Sequence, residues 1–402
     1  MHDVVVVGGG PTGCYVASLL GQRGYDVHVL EEHSVIGDPV DCSGVIGSES
    51  FTALGFPASL KLGEVNSLTL VSPSKLEVRF LPPSSLACVV DRASFDRAIA
   101  RKAEASGATF HLGSRVVELR QEKGYVEVRL ESESGDPISS ARSTMKAALV
   151  ILAGGPRYKF QRELGMGQPA NFLKTAQTEV EVQGIKEAKV FLGSELAPGS
   201  FAWIVPFRRE GMDFARIGVS AKVRPLSYLK KLLRQLYAQG HLYSHDVPIR
   251  SWVIPISPLR KTYADHVLAV GDAAGQTKPT TGGGIYYGLL CAQAAAKTVA
   301  GAFEKRDFGA NTLSRYETEW RRRLGREISM GFFFRRLAEK LTDEEIDDLF
   351  RIVHSDGVLA AVSRKARFDW HKDVVYFALR HPALGRIFLR RIFGKNRALT
   401  AT

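Results

Sequence analysis

Asp3-Val4-Val5-Val6-Val7-Gly8-Gly9-Gly10-Pro11-Thr12-Gly13 is the stretch that decides the fold. The β-branched run is short and continuous, as a parallel strand buried on both faces should be. Residues 14–23 then read as a helix that ends near Gly24, and Val27-His28-Val29-Leu30 reads as a second strand running into Glu31-Glu32. Together these form a β-turn-α-β unit of about 30 residues. The glycine spacing, Gly8-x-Gly10-x-x-Gly13, suits a pyrophosphate at a helix N-terminus. Gly8 permits the tight turn, Gly10 lets the backbone approach the phosphates, and Gly13 lets the helix pack close to the strand. Pro11 and Thr12 stand at the helix start and join this cradle. Glu31 comes 18 residues after Gly13, with Glu32 beside it. A carboxylate there accepts hydrogen bonds from ribose hydroxyls and repels a 2′-phosphate.

A second motif decides which dinucleotide is expected. Val267-Leu268-Ala269-Val270 is another buried strand and runs into Gly271-Asp272-Ala273-Ala274-Gly275. Pro279-Thr280-Thr281-Gly282-Gly283-Gly284 then opens an Ala-rich helix. Asp272 is expected to bind a ribityl chain. The N–H groups of Gly283, Gly284 and Ile285, with Gly282 before them, are expected to face a flavin N1/O2 edge. The positive end of that helix would favour charge on a reduced flavin. A nicotinamide cofactor needs no such second cradle, so the pair of motifs reads as non-covalent FAD.

The remaining chain fills in the architecture. At 402 residues it exceeds one small core. Residues 34–62 are loop-like, with a helical patch near Glu49–Leu54. Residues 68–71 and 76–80 read as a hairpin, and Asp91–Ser106 as a helix with Phe95, Ile99 and Ala103 on one stripe. Residues 114–120 and 125–130 alternate like antiparallel strands, and 147–152 is a buried strand. Residues 175–255 are mainly strand, with one helix near 226–238, and everything from Thr312 on looks helical. The expected fold is α/β: a Rossmann-like FAD-binding domain (1–62, 88–165 and 258–305), a β-rich α+β substrate domain (63–87 and 166–257), and a helical C-terminal region (306–402).

Four cysteines, Cys14, Cys42, Cys88 and Cys291, lie far apart with no C-x-x-C pair. That argues against a disulfide scaffold or a zinc site, and no metal is expected. No signal peptide or spanning helix is read, so a cytoplasmic location is expected. The net charge is +12, and residues 321–402 carry 18 Lys/Arg against 10 Asp/Glu. In this region Leu384, Ile387, Phe388 and Ile392 recur at helical spacing, with Arg386, Arg390, Arg391 and Lys395 between them. Two readings fit: a helix lying on the inner surface of an anionic membrane, or core packing with a basic outer face. No recognition motif accompanies the charge, so nucleic acid is not expected as a partner.

In motif order the chain resembles the flavoprotein class of the aromatic hydroxylases and geranylgeranyl reductases, over roughly residues 1–305. Three features draw it to the geranylgeranyl reductase family. Ile36-Gly37-Asp38-Pro39-Val40-Asp41-Cys42-Ser43-Gly44 resembles that family's I-G-x-P-V-x-C-x-x-G loop. Pro198-Gly199-Ser200-Phe201-Ala202-Trp203-Ile204-Val205-Pro206 is similar to its P-x-x-Y-x-W-x-F-P signature, with Phe201 and Val205 as departures. The continuous Lys278–Ile285 segment is the third. The D-G motif of the hydroxylases is replaced by Ala153-Gly154-Gly155-Pro156-Arg157.

The resemblance implies reduction of isolated C=C bonds in prenyl chains of membrane-lipid precursors. The substrate is a prenyl lipid or prenyl diphosphate, and the electron donor is left open between NAD(P)H and ferredoxin. An unactivated alkene has no carbonyl to polarise, so catalysis must rest on holding it flat against the flavin in a dry apolar tunnel. Phe201 and Trp203, flanked by Pro198 and Pro206, are expected on that wall. Cys42, with Ser43 and Gly44, is expected beside the flavin, as proton deliverer or pocket former. Arg92 matches an arginine near the cofactor in this class, or else forms a salt bridge. Val116 is expected among the cofactor-binding residues. Two other readings stay open: a flavin monooxygenase on an aromatic or other apolar small molecule, and a non-catalytic electron-carrying flavoprotein.

Overall fold

The computed structural model describes residues 1–40, 42–132, 143–355 and 357–393. Asp41 of the Cys42 loop and Lys395 lie outside them, and of Arg391 and Ile392 only the backbone is described. The chain divides into two compact units. The first comprises Met1–Val40, Arg92–Phe172 and Pro255–Ile328, and the second Asp41–Asp91, Leu173–Ile254 and Ser329–Thr402. Residues 42–62 and 88–91, which the sequence reading assigns to the FAD-binding part, group with the second unit. Residues from Ser329 on group with the second unit, and the division falls within the helix Ala310–Ala338.

The first unit is built on an eight-stranded sheet. His2–Val7 pairs in parallel with Val27–Leu30 on one side and Ser143–Leu152 on the other. Thr109–His111 and Val267–Ala269 extend the parallel set outward. Val4, Val5, Val6, Val150, Ile151 and Leu268 are fully buried. These runs carry no polar alternation because both faces are covered. The order reverses at His2–Val7, whose neighbours are reached by connections on opposite sides, and ligands bind such sheets at the carboxyl ends beside the reversal. The helix Pro11–Gly21 packs against Arg92–Ala105 and Ile285–Lys305. Phe95, Ile99 and Ala103 form the buried stripe of the second of these helices.

The second unit has a seven-stranded sheet, in the order Arg250–Pro255, Phe172–Glu181, Met212–Ala221, Ala202–Arg209, Ala188–Phe191, Leu68–Val71, Glu77–Phe80. Period-two alternation divides its side chains. Ala202 and Ile204 face Leu229, Leu232, Leu233 and Leu236 of the helix Pro225–Ala238. Trp203, Val205 and Phe207 face the opposite way, against Val65, Ala87 and Val89. Those last residues belong to a three-stranded sheet of Val45–Gly47, Ala87–Val90 and Lys61–Val65.

The C-terminal helices also pack in this unit. Ser72 Oγ donates to Asp347 Oδ1, and Ser50 Oγ to Asp369 Oδ2, each at 2.5 Å. In the helix Pro382–Phe393, Leu384, Ile387 and Phe388 are buried, and the rings of Phe388 and Phe334 lie 5.4 Å apart. Arg386 and Arg390 are exposed. Of the two readings of this helix, the structure takes core packing with a basic outer face. The reason is that its apolar stripe already has protein partners.

Candidate active site

In the first unit the chain leaves the strand His2–Val7 at Gly8 with φ +109°, a backbone that L residues avoid. A Cβ there would also lie 2.6 Å from the Ala153 carbonyl oxygen. A Cβ at Gly13 would overlap the Gly8 carbonyl oxygen. Gly10 differs: a Cβ there would meet nothing within 4 Å. Gly8 and Gly13 are therefore fixed by the protein's own packing, whereas nothing described in the chain demands glycine at Gly10. Gly10 is the N-cap of Pro11–Gly21, and Pro11 supplies a first residue with no N–H to satisfy. Glu31, at the end of the second strand, accepts from the Gly9 N–H at 2.6 Å and from the His33 N–H at 3.0 Å. Its carboxylate thus lies against the turn. Glu32 pairs with Arg157 at 2.6 Å. Val116 lies on the strand Ser114–Glu122 opposite Leu130, where the register shifts, and packs half-buried on the core.

The second motif meets the first through Thr12. A Cβ at Gly271 would lie 2.9 Å from Thr12 Oγ1, and one at Gly288 would overlap the same atom. Only glycines at both positions let the two helix starts come together. Gly271–Ala274 forms a single 3-10 turn, Gly275 closes it in the left-handed region, and Gly284 caps the helix Ile285–Lys305. A Cβ at Gly284 would lie 2.5 Å from Asp272 Oδ1, so the carboxylate sits on the helix start. The first N–H groups of any helix lack intrahelical acceptors. Gly283 departs in part from the expectation, since its N–H has a long bond to Thr281 Oγ1 at 3.4 Å.

Burial raises the Asp272 pKa from the usual 3.8 to about 6, against the pull of Arg92. Among the described residues no side-chain hydrogen bond adds to that pull. Arg92 is itself buried and bidentate with Asp96, at 3.1 and 2.9 Å. Arg92 thus forms the salt bridge of one reading, and its charge also lowers the Asp272 pKa.

Several residues that hold this loop have no local sequence signal. Tyr158 donates its hydroxyl to the Asp272 carbonyl at 2.8 Å, and Gln161 donates to that of Ala273 at 2.9 Å. Gln276 Oε1 accepts from the Gly271 N–H at 2.8 Å, and its amide donates to Tyr316 at 2.8 Å. Tyr158, Gln161 and Tyr316 are buried partners brought in from distant segments, which a reading by local spacing cannot reach, whereas Gln276 lies five residues from Gly271.

The second unit holds the other expected residues. Cys42 is half-buried, and its sulfur accepts from the Gly44 N–H at 3.4 Å. Arg216, which the sequence reading misses, fixes this loop. It is buried on the strand Met212–Ala221 and donates to the carbonyls of Ser43 at 2.7 Å and Val90 at 3.0 Å. Its Nε pairs with Glu179 at 2.8 Å, and its guanidinium lies 5.0 Å from the Phe207 ring centre. Arg216 stands opposite Val205 in register, so the Cys42 loop is tied to the strand pair that carries the 198–206 segment. Phe201 and Trp203 have ring centres 5.8 Å apart, and Pro198 and Pro206 are half-buried. The indole of Trp203 covers Gly218, where any Cβ would overlap it. Its Nε1–H is buried with no acceptor among the described residues. Ser200 Oγ accepts from buried Arg335 at 3.1 Å, and Arg335 pairs with Glu339 at 2.9 Å.

FAD fits the first unit on two observations: the open approach at Gly10 and the half-buried Asp272 carboxylate, which has no side-chain donor among the described residues. Comparison with known proteins agrees. The model of the FAD binding domain family matches residues 1–329. A digeranylgeranylglycerophospholipid reductase of Methanothrix thermoacetophila is 30% identical over 369 residues, covering 89% of this chain and 92% of that protein. A geranylgeranyl bacteriochlorophyll reductase-like protein from Thermoplasma acidophilum superposes with TM-score 0.83 at 21% identity, over 98% of each chain. The p-nitrophenol 4-monooxygenase of Pseudomonas putida shares the fold, with TM-score 0.69 at 16% identity over 91% of this chain and 97% of that one. Fold likeness therefore spans both reductases and hydroxylases, whereas end-to-end sequence identity at the 30% level points one way. The chain belongs to the FAD binding domain family and, within it, to the geranylgeranyl reductases.

Proposed function

We propose that this protein saturates isolated C=C bonds in the geranylgeranyl chains of membrane-lipid precursors, with FAD as its redox cofactor. The observation that carries this reading is the end-to-end similarity to a digeranylgeranylglycerophospholipid reductase. Bound and reduced, FAD supplies the hydride, and each saturated bond also takes up one proton. The chain's own residues bind, orient and exclude water. Gly10 and the first N–H groups of Pro11–Gly21 would receive the pyrophosphate, and Glu31 the ribose hydroxyls. Asp272 would accept from the ribityl hydroxyls. The N–H groups of Gly284 and Ile285 would favour negative charge on the reduced ring. Phe201 and Trp203 would line the prenyl chain with aromatic faces. Cys42 would stand where the proton is delivered, with Arg216 fixing its loop.

The test uses FAD-loaded protein, chemically reduced and mixed once with a digeranylgeranyl glycerophospholipid. The expected product, read by mass spectrometry, has gained H2 at one or more double bonds. Oxidation of the flavin by air alone, with the lipid recovered unchanged, would overturn the proposal. In the same single turnover Cys42→Ala is expected to slow reduction, and an unchanged rate removes the thiol from the reaction.

A further inference from the structure

Asp26 precedes the strand Val27–Leu30, and its two carboxylate oxygens hold histidines from two different strands. Oδ2 lies 2.8 Å from His2 Nδ1 at the start of His2–Val7, and Oδ1 lies 3.0 Å from His28 Nε2. The imidazoles of His2 and His28 have centres 3.8 Å apart. The three ligand-type atoms lie within 4.8 Å of one another. Behind them, the other nitrogen of His28, Nδ1, is 2.8 Å from His111 Nε2. The Asp26 N–H donates to Asp3 Oδ2 at 2.9 Å, which fixes the turn that carries the carboxylate. The glycine turn of the cofactor cradle follows the carboxyl end of His2–Val7, whereas this cluster gathers at its amino end.

We infer that His2, Asp26 and His28 form a binding site for a divalent transition-metal ion such as zinc, with His111 orienting the His28 ring from behind. Two imidazoles and one carboxylate are a donor set that such ions accept, with water completing the shell. Ligand atoms around a tetrahedral zinc stand about 3.3 Å apart, given metal–ligand bonds near 2.0 Å. The two nitrogen–oxygen spacings, 2.8 and 3.0 Å, need open only by a few tenths of an ångström, and the third lies within 4.8 Å. The tautomer is also consistent. With His28 Nε2 on the metal, Nδ1 carries the proton and donates it to His111, the usual arrangement behind a ligating histidine. Cysteine spacing gives no sign of this site, because its ligands are histidines brought together by parallel pairing. The ion would tie the starts of two central strands together.

The test titrates tag-free, FAD-loaded protein with Co2+, read by visible absorption, and then competes the Co2+ off with Zn2+. One equivalent should bind with a coordination band, and Zn2+ should displace it and raise the melting temperature. His28→Ala and the surface variant Asp26→Ala should each lose this binding, with flavin content unchanged. His111→Gln should retain it about 10–100-fold more weakly. Cys42→Ser should bind as the parent does. Absence of one-equivalent binding in the parent, or equal affinity in Asp26→Ala, would overturn the inference.

Discussion

Asp272 carries a cost that Arg92 offsets only in part. Burial raises its pKa from 3.8 to about 6, so in the cofactor-free protein the ionised form is the disfavoured one. Its contribution to stability is fully present below about pH 4 and is lost as the pH rises through about 6. Hydroxyl donors from a ribityl chain would reverse that preference, because a carboxylate accepts more strongly than a carboxylic acid. Binding then pulls the Asp272 pKa down, and by linkage FAD must bind more tightly above pH 6 than below it. For a shift of about one unit on binding, the FAD dissociation constant should rise roughly fivefold between about pH 7 and pH 5, approaching tenfold below about pH 4. Asp272→Asn should weaken binding at neutral pH and flatten the pH dependence. Fluorescence titration of apoprotein with FAD reads both. An unchanged pH profile in the variant would show that Asp272 does not meet the cofactor.

At the scale of the element, the helix start Gly10–Gly13 separates two demands that one motif conceals. A Cβ at Gly13 overlaps the Gly8 carbonyl oxygen, while one at Gly10 meets nothing. Gly13→Ala should therefore destabilise the apoprotein itself. Gly10→Ala should leave the apoprotein melting temperature near that of the parent yet abolish FAD uptake. Calorimetry of both apoproteins, paired with flavin reconstitution, reads the difference, and normal FAD uptake by Gly10→Ala would remove the cradle from this turn. Such glycines were legible in the sequence because backbone approach admits one residue type at fixed spacing. The parallel strands were legible because burial on both faces leaves an unbroken apolar run. The three-stranded sheet was not, since Val45–Gly47, Lys61–Val65 and Ala87–Val90 are too short to show a period among their Gly, Pro and Ser neighbours. Arg216 was equally hidden: its bond to Ser43 spans 173 positions, and an arginine on a strand reads as an outward face. Asp272 was legible as a residue, but its raised pKa comes from three-dimensional packing.

For the molecule as a whole, the question is how a protein with no helix long and apolar enough to cross a membrane, among the described residues, meets a lipid. The amphipathic spacing of 384–388 alone fits insertion into a bilayer and packing in a core equally well. Burial of Leu384, Ile387 and Phe388 resolves it, so the apolar stripe is not available to acyl chains. What remains is charge: +12 overall, with exposed Arg386 and Arg390 on the outer face of the same helix. Each basic residue near an anionic leaflet contributes about 1 kcal/mol, and the attraction decays within a Debye length of about 8 Å at physiological salt. Membrane contact by this route must be electrostatic, and two variants of the one helix separate it from insertion. Phe388→Ala removes a buried ring and should cost about 3–5 kcal/mol of stability while leaving vesicle binding by the folded protein unchanged. Replacement of Arg386 and Arg390 by Glu should leave the melting temperature near the parent value and weaken sedimentation with phosphatidylserine vesicles by roughly tenfold or more. Salt near 1 M, where the Debye length is about 3 Å, should abolish the parent's binding. Vesicle binding that survives high salt and is lost in Phe388→Ala would instead mean that the stripe leaves the core to enter the bilayer.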